Sequence, residues 1–302
     1  MKNFAITGIA GYIAPRHLNA IRDTGNRLVA AMDPHDSVGR LDQYFPNAAF
    51  FTEFERFDRH LEKLRKVNKE DSIDYLSICA PNHLHDAHIR LALRLDADAI
   101  CEKPLVLNPW NLDALADLEI ETGRRVYTVL QLRLHPSLIA LHKKIQDELP
   151  RRGKRYQVEL KYITSRGLWY DFSWKGIKEK SGGIATNIGI HFFDMLIWMF
   201  GAVENVRVDL SEKRRMNGEL ELKNADVKWA LSLERSDLPP DWEKPTYRSI
   251  KIDGSEIEFT EGFTELHTEV YRNVLADNGF GIDVVRPSIE LVEKLRKWQS
   301  TG

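Results

Sequence analysis

The first 130 residues alternate short apolar runs with amphipathic stretches. "NFAIT" (3–7) reads as a buried strand, and residues 14 to 24 as a helix. "RLVAAM" (27–32) is a second strand, followed by a polar helical stretch near 36 to 44. "AAFF" (48–51) is a weak strand. Over residues 53 to 67, Phe54, Phe57, Leu61 and Leu64 recur at three- and four-residue spacing, which predicts a helix. "IDYLSIC" (73–79), a helix over 83–95, "ADAIC" (97–101), a helix over 109–122 and "RVYTVL" (125–130) complete the run. Six strands alternating with helices imply a parallel sheet covered on both faces, in a doubly wound Rossmann topology.

After Leu130 the period changes. A helix near 136–148 leads into "PRRGK", and then "YQVELKYITS", "VENVRVDLSE", "ADVKWALSLE", "YRSIKIDG" and "SEIEFTEG" alternate inward and outward residues. Such runs, parted by turn residues, signal an antiparallel sheet. One helix (185–200) interrupts them, and two follow at about 264–277 and 281–299. The expected fold is α/β, with an N-terminal doubly wound Rossmann domain over residues 1–131. Residues 132–302 form a C-terminal α+β domain with a large open, mostly antiparallel sheet.

Bulk properties narrow the partners. The chain has 302 residues, which suits two domains. It is 43% hydrophobic and 29% charged with a net charge of −2, so it shows no polyanion-binding footprint and no nucleic-acid partner is expected. The apolar run at the N-terminus is too short for a signal peptide. No stretch approaches the roughly 18 apolar residues of a membrane span. Cys79 and Cys101 each end an apolar run and give neither a disulfide framework nor a zinc spacing. A cytoplasmic protein with no membrane partner is the expectation.

Candidate chemistry begins at "GIAGYIAPRH". Gly8, Gly11 and Ala14 give G-x-x-G-x-x-A, one residue longer than the usual dinucleotide fingerprint. The physical needs are still met. Gly8 permits a tight turn, Ala10 and Gly11 let backbone approach a pyrophosphate, and Ala14 permits close helix–strand packing. The helix that follows offers its first N–H groups to phosphate, and Pro15 suits its first turn. Asp33 ends the second strand about 20 to 25 residues past the glycines, where an acid accepts bonds from ribose hydroxyls. Its charge opposes a 2′-phosphate, which favours NAD over NADP.

"CAPNHLH" (79–85) and "CEKP" (101–104) follow the fourth and fifth strands, at the carboxyl edge where ligands bind. Asn82 and His85 fit a loop-to-helix junction. His83, His85 and His88 fit no common zinc spacing, and no metal is expected. Lys103, between Glu102 and Pro104, is placed to face the nicotinamide end of the cleft. In "GGIATNIGIHFFDMLIWMFG" (182–201), a helix sets Asn187, His191 and Asp194 at spacings of four and three, close to one face.

The lysine of "EKP", the loop "APNHLH" and "GG…N…H…D…G" after a Rossmann half together resemble the Gfo/Idh/MocA family of sugar oxidoreductases. The likeness covers nearly the whole chain. "FFTEFE", "LQLRLHP", "YITSRGLWYDFSWKG", "PTYRSI" and "EGFTELH" narrow it to members acting on UDP-N-acetyl-2-amino-2-deoxy-D-glucuronate. The resemblance implies NAD-dependent oxidation of that substrate's 3-hydroxyl to the 3-keto sugar, in bacterial surface polysaccharide (O-antigen) synthesis, with NADH reoxidised by 2-oxoglutarate. It implies Lys103 and His191 as the catalytic pair. His191 is preferred as base, because its ordinary pKa of about 6.5 suits the task, although a desolvated lysine is also a base. It implies cofactor contacts at Gly8, Ala10, Gly11, Tyr12, Ile13, Asp33, Ala80, Pro81, Asn82, His85, Glu102, Lys103, Gln131, Trp174 and Lys175. It implies substrate contacts at Lys103, Arg133, Arg166, Tyr170, Asn187 and His191, with Lys175 and Gln131 also in reach of the substrate. Many members carry aspartate where this chain has Asn187, and an amide there positions substrate without taking a proton. A homo-oligomer, tetramer or dimer, is implied as well. The alternatives are another sugar or inositol dehydrogenase of this fold, or a catalytically silent NAD-binding regulator.

Overall fold

The computed structural model describes residues 1–257 and 265–298. They fall into two compact units: 1–131 with 265–285, and 132–257 with 286–298. A single cut after Gln131 assigns the stretch 265–285 to the second half. Its helix instead packs in the first unit, because its apolar face carries Val270, Tyr271 and Val274, all fully buried there. Periodicity shows such a face but not what covers it.

In the first unit the elements run β1 (Asn3–Thr7), α1 (Ala14–Asp23), β2 (Arg27–Met32), α2 (Leu41–Tyr44), β3 (Ala49–Phe51) and α3 (Phe54–Val67). They continue with β4 (Tyr75–Ile78), α4 (His85–Arg94), β5 (Asp98–Cys101), α5 (Pro109–Thr122) and β6 (Val126–Thr128). All six strands are parallel, in the order β3-β2-β1-β4-β5-β6. Every residue of β1 is buried, as a central strand covered on both faces requires. The helix expected over 36–44 shrinks to α2. The residues before it form a turn in which Asp33 accepts the His35 N–H at 2.9 Å.

The second unit holds α6 (Pro136–Glu148), β7 (Tyr156–Thr164), α7 (Trp169–Phe172), α8 (Lys178–Ser181) and α9 (Ile190–Phe200). After them come β8 (Val203–Ser211), β9 (Arg215–Leu222), β10 (Ala225–Ser232), β11 (Thr246–Ile252) and β12 (Ser255–Glu256). Helix α10 (Leu266–Leu275) is the one that returns to the first unit, and α11 (Ile282–Lys297) ends the described chain. The sheet order is β12-β11-β7-β10-β9-β8, antiparallel except for the parallel β7/β10 pair. The rest of the run "SEIEFTEG" and the start of the helix expected at 264 lie outside the described residues.

Strand β9, "RMNGELEL", was not expected, because Gly218 interrupts its β pattern. A Cβ at Gly218 would lie 2.1 Å from the Arg207 carbonyl oxygen, so glycine is what lets β8 close on β9. Helix α9 covers one face of the sheet. Phe193 meets Trp229 edge-on at 5.3 Å, and Phe192 and Phe200 lie on Tyr162 and Tyr156. The opposite face carries exposed charges, including the Arg207–Glu219 pair at 3.1 Å. The helical stretch Lys178–Phe200 is long and apolar enough to cross a membrane, with a mean hydropathy of 1.3, which corrects the sequence expectation. It is 78% buried inside the structure, the mark of a core helix.

Burial of titratable groups sets how acid affects the first unit. His88 stacks on Phe54 at 4.8 Å, and its Nδ1 lies 2.9 Å from the Thr7 hydroxyl. Burial, aided by His85 and His83, lowers its pKa to about 3. A folded pKa below the unfolded one means stability is complete above about pH 6.5 and declines as pH falls toward 3. His88→Gln, which cannot charge, should therefore flatten the fall in unfolding free energy between pH 6.5 and 4.5. The slope should drop by about one proton, or roughly 1.4 kcal/mol per pH unit. Denaturant titrations of both proteins across that range measure it, and equal slopes would remove His88 as the acid-sensitive group.

Candidate functional site

Gly8 ends β1 with φ +78°, and a Cβ there would stand 2.5 Å from the carbonyl carbon and oxygen of Cys79. Only glycine lets the end of β1 lie so close to the end of β4. The loop then closes on itself. The Gly11 N–H donates to the Gly8 carbonyl at 3.0 Å, and Arg40 donates to the Gly11 carbonyl at 3.0 Å. Asp33 is buried, and its other oxygen accepts the Ala10 N–H at 2.9 Å. Helix α1 starts after Ile13 with Pro15 in its first turn, and no side chain caps its leading N–H groups. Tyr12 is exposed beside them. Uncapped helix N–H groups behind a glycine cradle, with an acid at the end of β2, fit a dinucleotide pyrophosphate and ribose.

The loops after β4 and β5 stand at the same carboxyl edge. Ala80 and Asn82 are buried and Pro81 is partly so, on the approach to α4. The three histidines that follow diverge. His83 is exposed, His88 packs on Phe54, and His85 turns inward. The His85 ring nitrogens lie 2.7 Å from the Pro104 carbonyl oxygen and 2.8 Å from that of Ala80. Burial lowers its pKa against the pull of those two carbonyls. Its imidazole therefore braces two loops, and it does not present a free edge.

Glu102 also turns inward. Its Oε1 accepts from His17 Nε2 and from His267 Nε2, each at 3.0 Å, and its Oε2 lies 3.3 Å from the Lys103 N–H. Burial alone pushes this carboxyl up, but the two imidazole donors outweigh it and hold the group well below the usual carboxylate range. His17 Nδ1 lies 2.8 Å from the Tyr271 hydroxyl, which lies 2.6 Å from Ser77 Oγ. One orientation satisfies the chain: Ser77 donates to Tyr271, Tyr271 to His17, and His17 to Glu102. Burial lowers the His17 pKa and raises that of Tyr271, which agrees with both being neutral. The three ligand-type atoms of His17, Glu102 and His267 lie within 4.8 Å of one another, a spacing a metal ion also accepts. Hydrogen bonds already use every one of these atoms. Lys103 is half-buried, and its bond to Pro104 is cis. Gln131 buries its Oε1 with no hydrogen-bond partner among the described residues, which suits a polar ligand atom.

In the second unit, the five-residue π-helical turn Ala185–Gly189 precedes α9. A Cβ on Gly189 would stand 2.7 Å from Leu231, so the missing side chain lets the end of this turn lie close against the sheet. A four-residue step spans about one such turn, so Asn187 and His191 keep neighbouring azimuths. Asn187 is buried and its Nδ2 donates to the Tyr170 hydroxyl at 2.9 Å. His191 is half-buried. Lys175 lies 5.5 Å and 5.6 Å from the centres of the Trp169 and Trp174 rings, and burial, then the charge of Arg166, lowers its pKa. A cavity of about 310 Å³ opens beside Tyr170, Lys175, Lys178, Lys213 and Arg296, floored by Gly182 and Gly183. Arg133 is committed elsewhere. It grips buried Asp194 through two bonds of 2.8 and 2.9 Å.

The site missed by sequence reading is the network of His17, His267, Tyr271 and Ser77. His267 and Tyr271 lie one helical turn apart on a buried face, a signal of a polar cluster but not of its partner.

Two family models match: the NAD-binding Rossmann fold of the GFO_IDH_MocA oxidoreductase family over residues 2–130, and its C-terminal alpha/beta domain over 153–239. The chain belongs to this family of oxidoreductases, and its cofactor is NAD. The WlbA (WbpB) dehydrogenase of Thermus thermophilus, solved with NAD and alpha-ketoglutarate, is 52% identical over 99% of this chain and 96% of its own, with a TM-score of 0.94. The same dehydrogenase solved with NAD and UDP-GlcNAcA gives 51% identity, the same coverage and a TM-score of 0.94. An inositol 2-dehydrogenase of Rhizobium meliloti is 28% identical over 66% of this chain and 54% of its own length. The matches span 36% to 54% of the lengths of such curated relatives.

Gly8→Ala should cost at least about 2 kcal/mol, from the left-handed φ alone, before the clash with Cys79 is added. A chemical denaturation series should show that loss together with loss of NAD binding by calorimetry. A variant as stable as the parent would mean the two strand ends do not approach as described.

Proposed function

We propose that this protein oxidises the 3-hydroxyl of a UDP-linked N-acetylglucosaminuronic acid to the ketone, as a step in bacterial surface polysaccharide (O-antigen) synthesis. The observation that carries this reading is the likeness, across both units and at about half identity, to a dehydrogenase solved with NAD and UDP-GlcNAcA. NAD, when bound, supplies the hydride acceptor. We assign His191 to take the hydroxyl proton and Lys103 to donate a hydrogen bond to the same oxygen, holding it as its charge develops. Asn187 has no proton-accepting power at neutral pH. Its bond to Tyr170 makes it a positioning group.

The second unit supports an anionic substrate. Arg166 and Lys175 repel each other at partly buried positions, and the neighbouring cavity adds Lys178, Arg296 and Lys213, the last paired with Asp171, against one acid, Glu212. A diphosphate relieves that repulsion, and we assign Arg166, Tyr170 and Lys175 to it. Trp174 and Lys175 serve the cofactor phosphates in the alternative that the family resemblance suggests. We assign Arg133 to fastening its own turn to α9, since Asp194 occupies it from two sides. On the first unit we assign Gly8, Ala10, Gly11, Tyr12, Ile13, Ala80, Pro81, Asn82 and Gln131 to the cofactor, and Asp33 to the adenosine ribose. Glu102 and His85 act on the cofactor site through the backbone they hold.

The complex of the Thermus dehydrogenase with alpha-ketoglutarate supports a second half-reaction, in which 2-oxoglutarate is reduced to 2-hydroxyglutarate as NADH returns to NAD. Exposed Leu168, Trp169 and Phe172 support a homo-oligomer, either a tetramer or a dimer. Light scattering after gel filtration should give a mass of two or four chains, and a monomer at micromolar concentration would reject it.

The purified protein with UDP-N-acetylglucosaminuronate and NAD should yield the 3-keto sugar, with turnover sustained by 2-oxoglutarate. Activity on free sugars or inositol that ignores the UDP group would favour a polyol dehydrogenase instead. Lys103→Ala and His191→Ala should each cut turnover roughly 10²- to 10⁴-fold with NAD affinity retained. Undiminished turnover in both would remove the assignment. Asp33→Ala should weaken NAD roughly tenfold and narrow its advantage over NADP.

A further inference from the structure

The reading above makes Lys103 a catalytic residue, and the present inference rests on it. A lysine on a flexible four-carbon stem aims well only if its backbone is fixed. Glu102 and Pro104 flank it, and both are gripped from inside the first unit. The Glu102 carboxylate takes an N–H from His17 on α1 and one from His267 on α10, and its second oxygen lies 3.3 Å from the Lys103 N–H. On the other side, the Pro104 carbonyl lies 2.7 Å from His85 on α4. Three helices thus converge on one turn.

We propose that Glu102, held as an anion by His17 and His267, is a positioning residue for Lys103, fixing its backbone and setting a negative charge one residue behind its ammonium. The location supports it. Both imidazoles are almost fully buried, at 0% and 2%, and Glu102 between them is itself buried. A surface acid next to a lysine would be mobile and screened, whereas this one is neither. Helix α1 also carries the loop at Gly8–Ile13, so the grip links the cofactor loop to the lysine turn.

The proposal separates from mere stability. Glu102→Gln keeps the shape and one acceptor but loses the charge. It should lower kcat roughly 10- to 100-fold, the cost of about an ångström of misplacement, while KM for the UDP-sugar and the Kd of NAD change less than about threefold. Without the anion, the lysine loses its proton more easily, so the alkaline limb of the kcat–pH profile should move to lower pH. His267→Gln and His267→Leu give an arm that does not depend on how well the Glu102 variant folds. A glutamine amide keeps a donor near the Nε2 position and should retain kcat within about threefold, whereas leucine should lose it as Glu102→Gln does. Wild-type kcat and pH profile in both Glu102→Gln and His267→Leu would overturn the proposal. So would a stoichiometric metal in the purified protein whose removal by chelator abolishes activity, since the three atoms would then be ligands.

The Lys103→Ala/Glu102→Gln double variant tells the two readings apart. If Glu102 acts through Lys103, the double variant is no slower than Lys103→Ala alone. Additive losses overturn the present inference and leave the catalytic lysine standing. Full activity in Lys103→Ala overturns both.

Discussion

A carboxylate cut off from water has to find its hydrogen bonds in the protein or give up its charge, and in the first unit Glu102 keeps its charge by means of two imidazoles. That requirement explains why a helix more than 160 residues further along the chain belongs to the nucleotide-binding unit. Removing α10 would take away both His267 and Tyr271, leaving His17 without the hydroxyl at its Nδ1 and the buried carboxylate with one imidazole donor. Tyr271 extends the same logic inward. It packs against Phe4 of β1, and its hydroxyl passes a proton donor from Ser77 of β4 to His17. The central strands, the cofactor helix and the lysine turn are thus tied into one hydrogen-bonded assembly.

The second unit works with the opposite sign. Arg166 stands near Lys175, whose proton affinity is lowered by burial first and by that neighbouring charge second. Elsewhere in that unit several cations have carboxylate partners. Arg133 has Asp194, and Arg214 has Asp171 and Glu234. Lys175, Lys178, Lys213 and Arg296 line the cavity against one acid, Glu212, and Asp171 pairs with Lys213, so the lining keeps a positive balance that an anionic ligand would meet. The same contrast sets Arg133, held by Asp194, apart from Arg166 and Lys175.

The order of strands and helices was legible because each element of the first unit follows its own period, and Gly8, Asp33 and Lys103 were legible because they punctuate strand ends. What escaped was information carried by partners. Strand β9 was lost because Gly218 serves the carbonyl of Arg207 on a neighbouring strand, a need invisible in its own segment. The membrane-length helix over Lys178–Phe200 is apolar because a sheet covers it. The stretch at 36–44 became mostly turn because Asp33 draws His35 into a tight bend. Side-chain direction escaped as well. Glu102 and His85 stand where a sequence reader places cofactor ligands, yet both point into the protein.

That last point bears on how short motifs should be read. In "EKP" three adjacent residues occupy one turn, but their groups face different tasks. The glutamate looks inward to two histidines, and the proline offers its carbonyl to a third. The lysine between them is half-buried. On the role proposed for Lys103, the motif sets a reacting group between two anchors, and the anchors depend on His17, His85 and His267, which lie outside it. Proteins sharing the three letters but lacking those histidines must hold the lysine by other means, so the same motif need not give the same pH response. The chemistry assigned to Lys103 is thus a property of the turn and its three helices together.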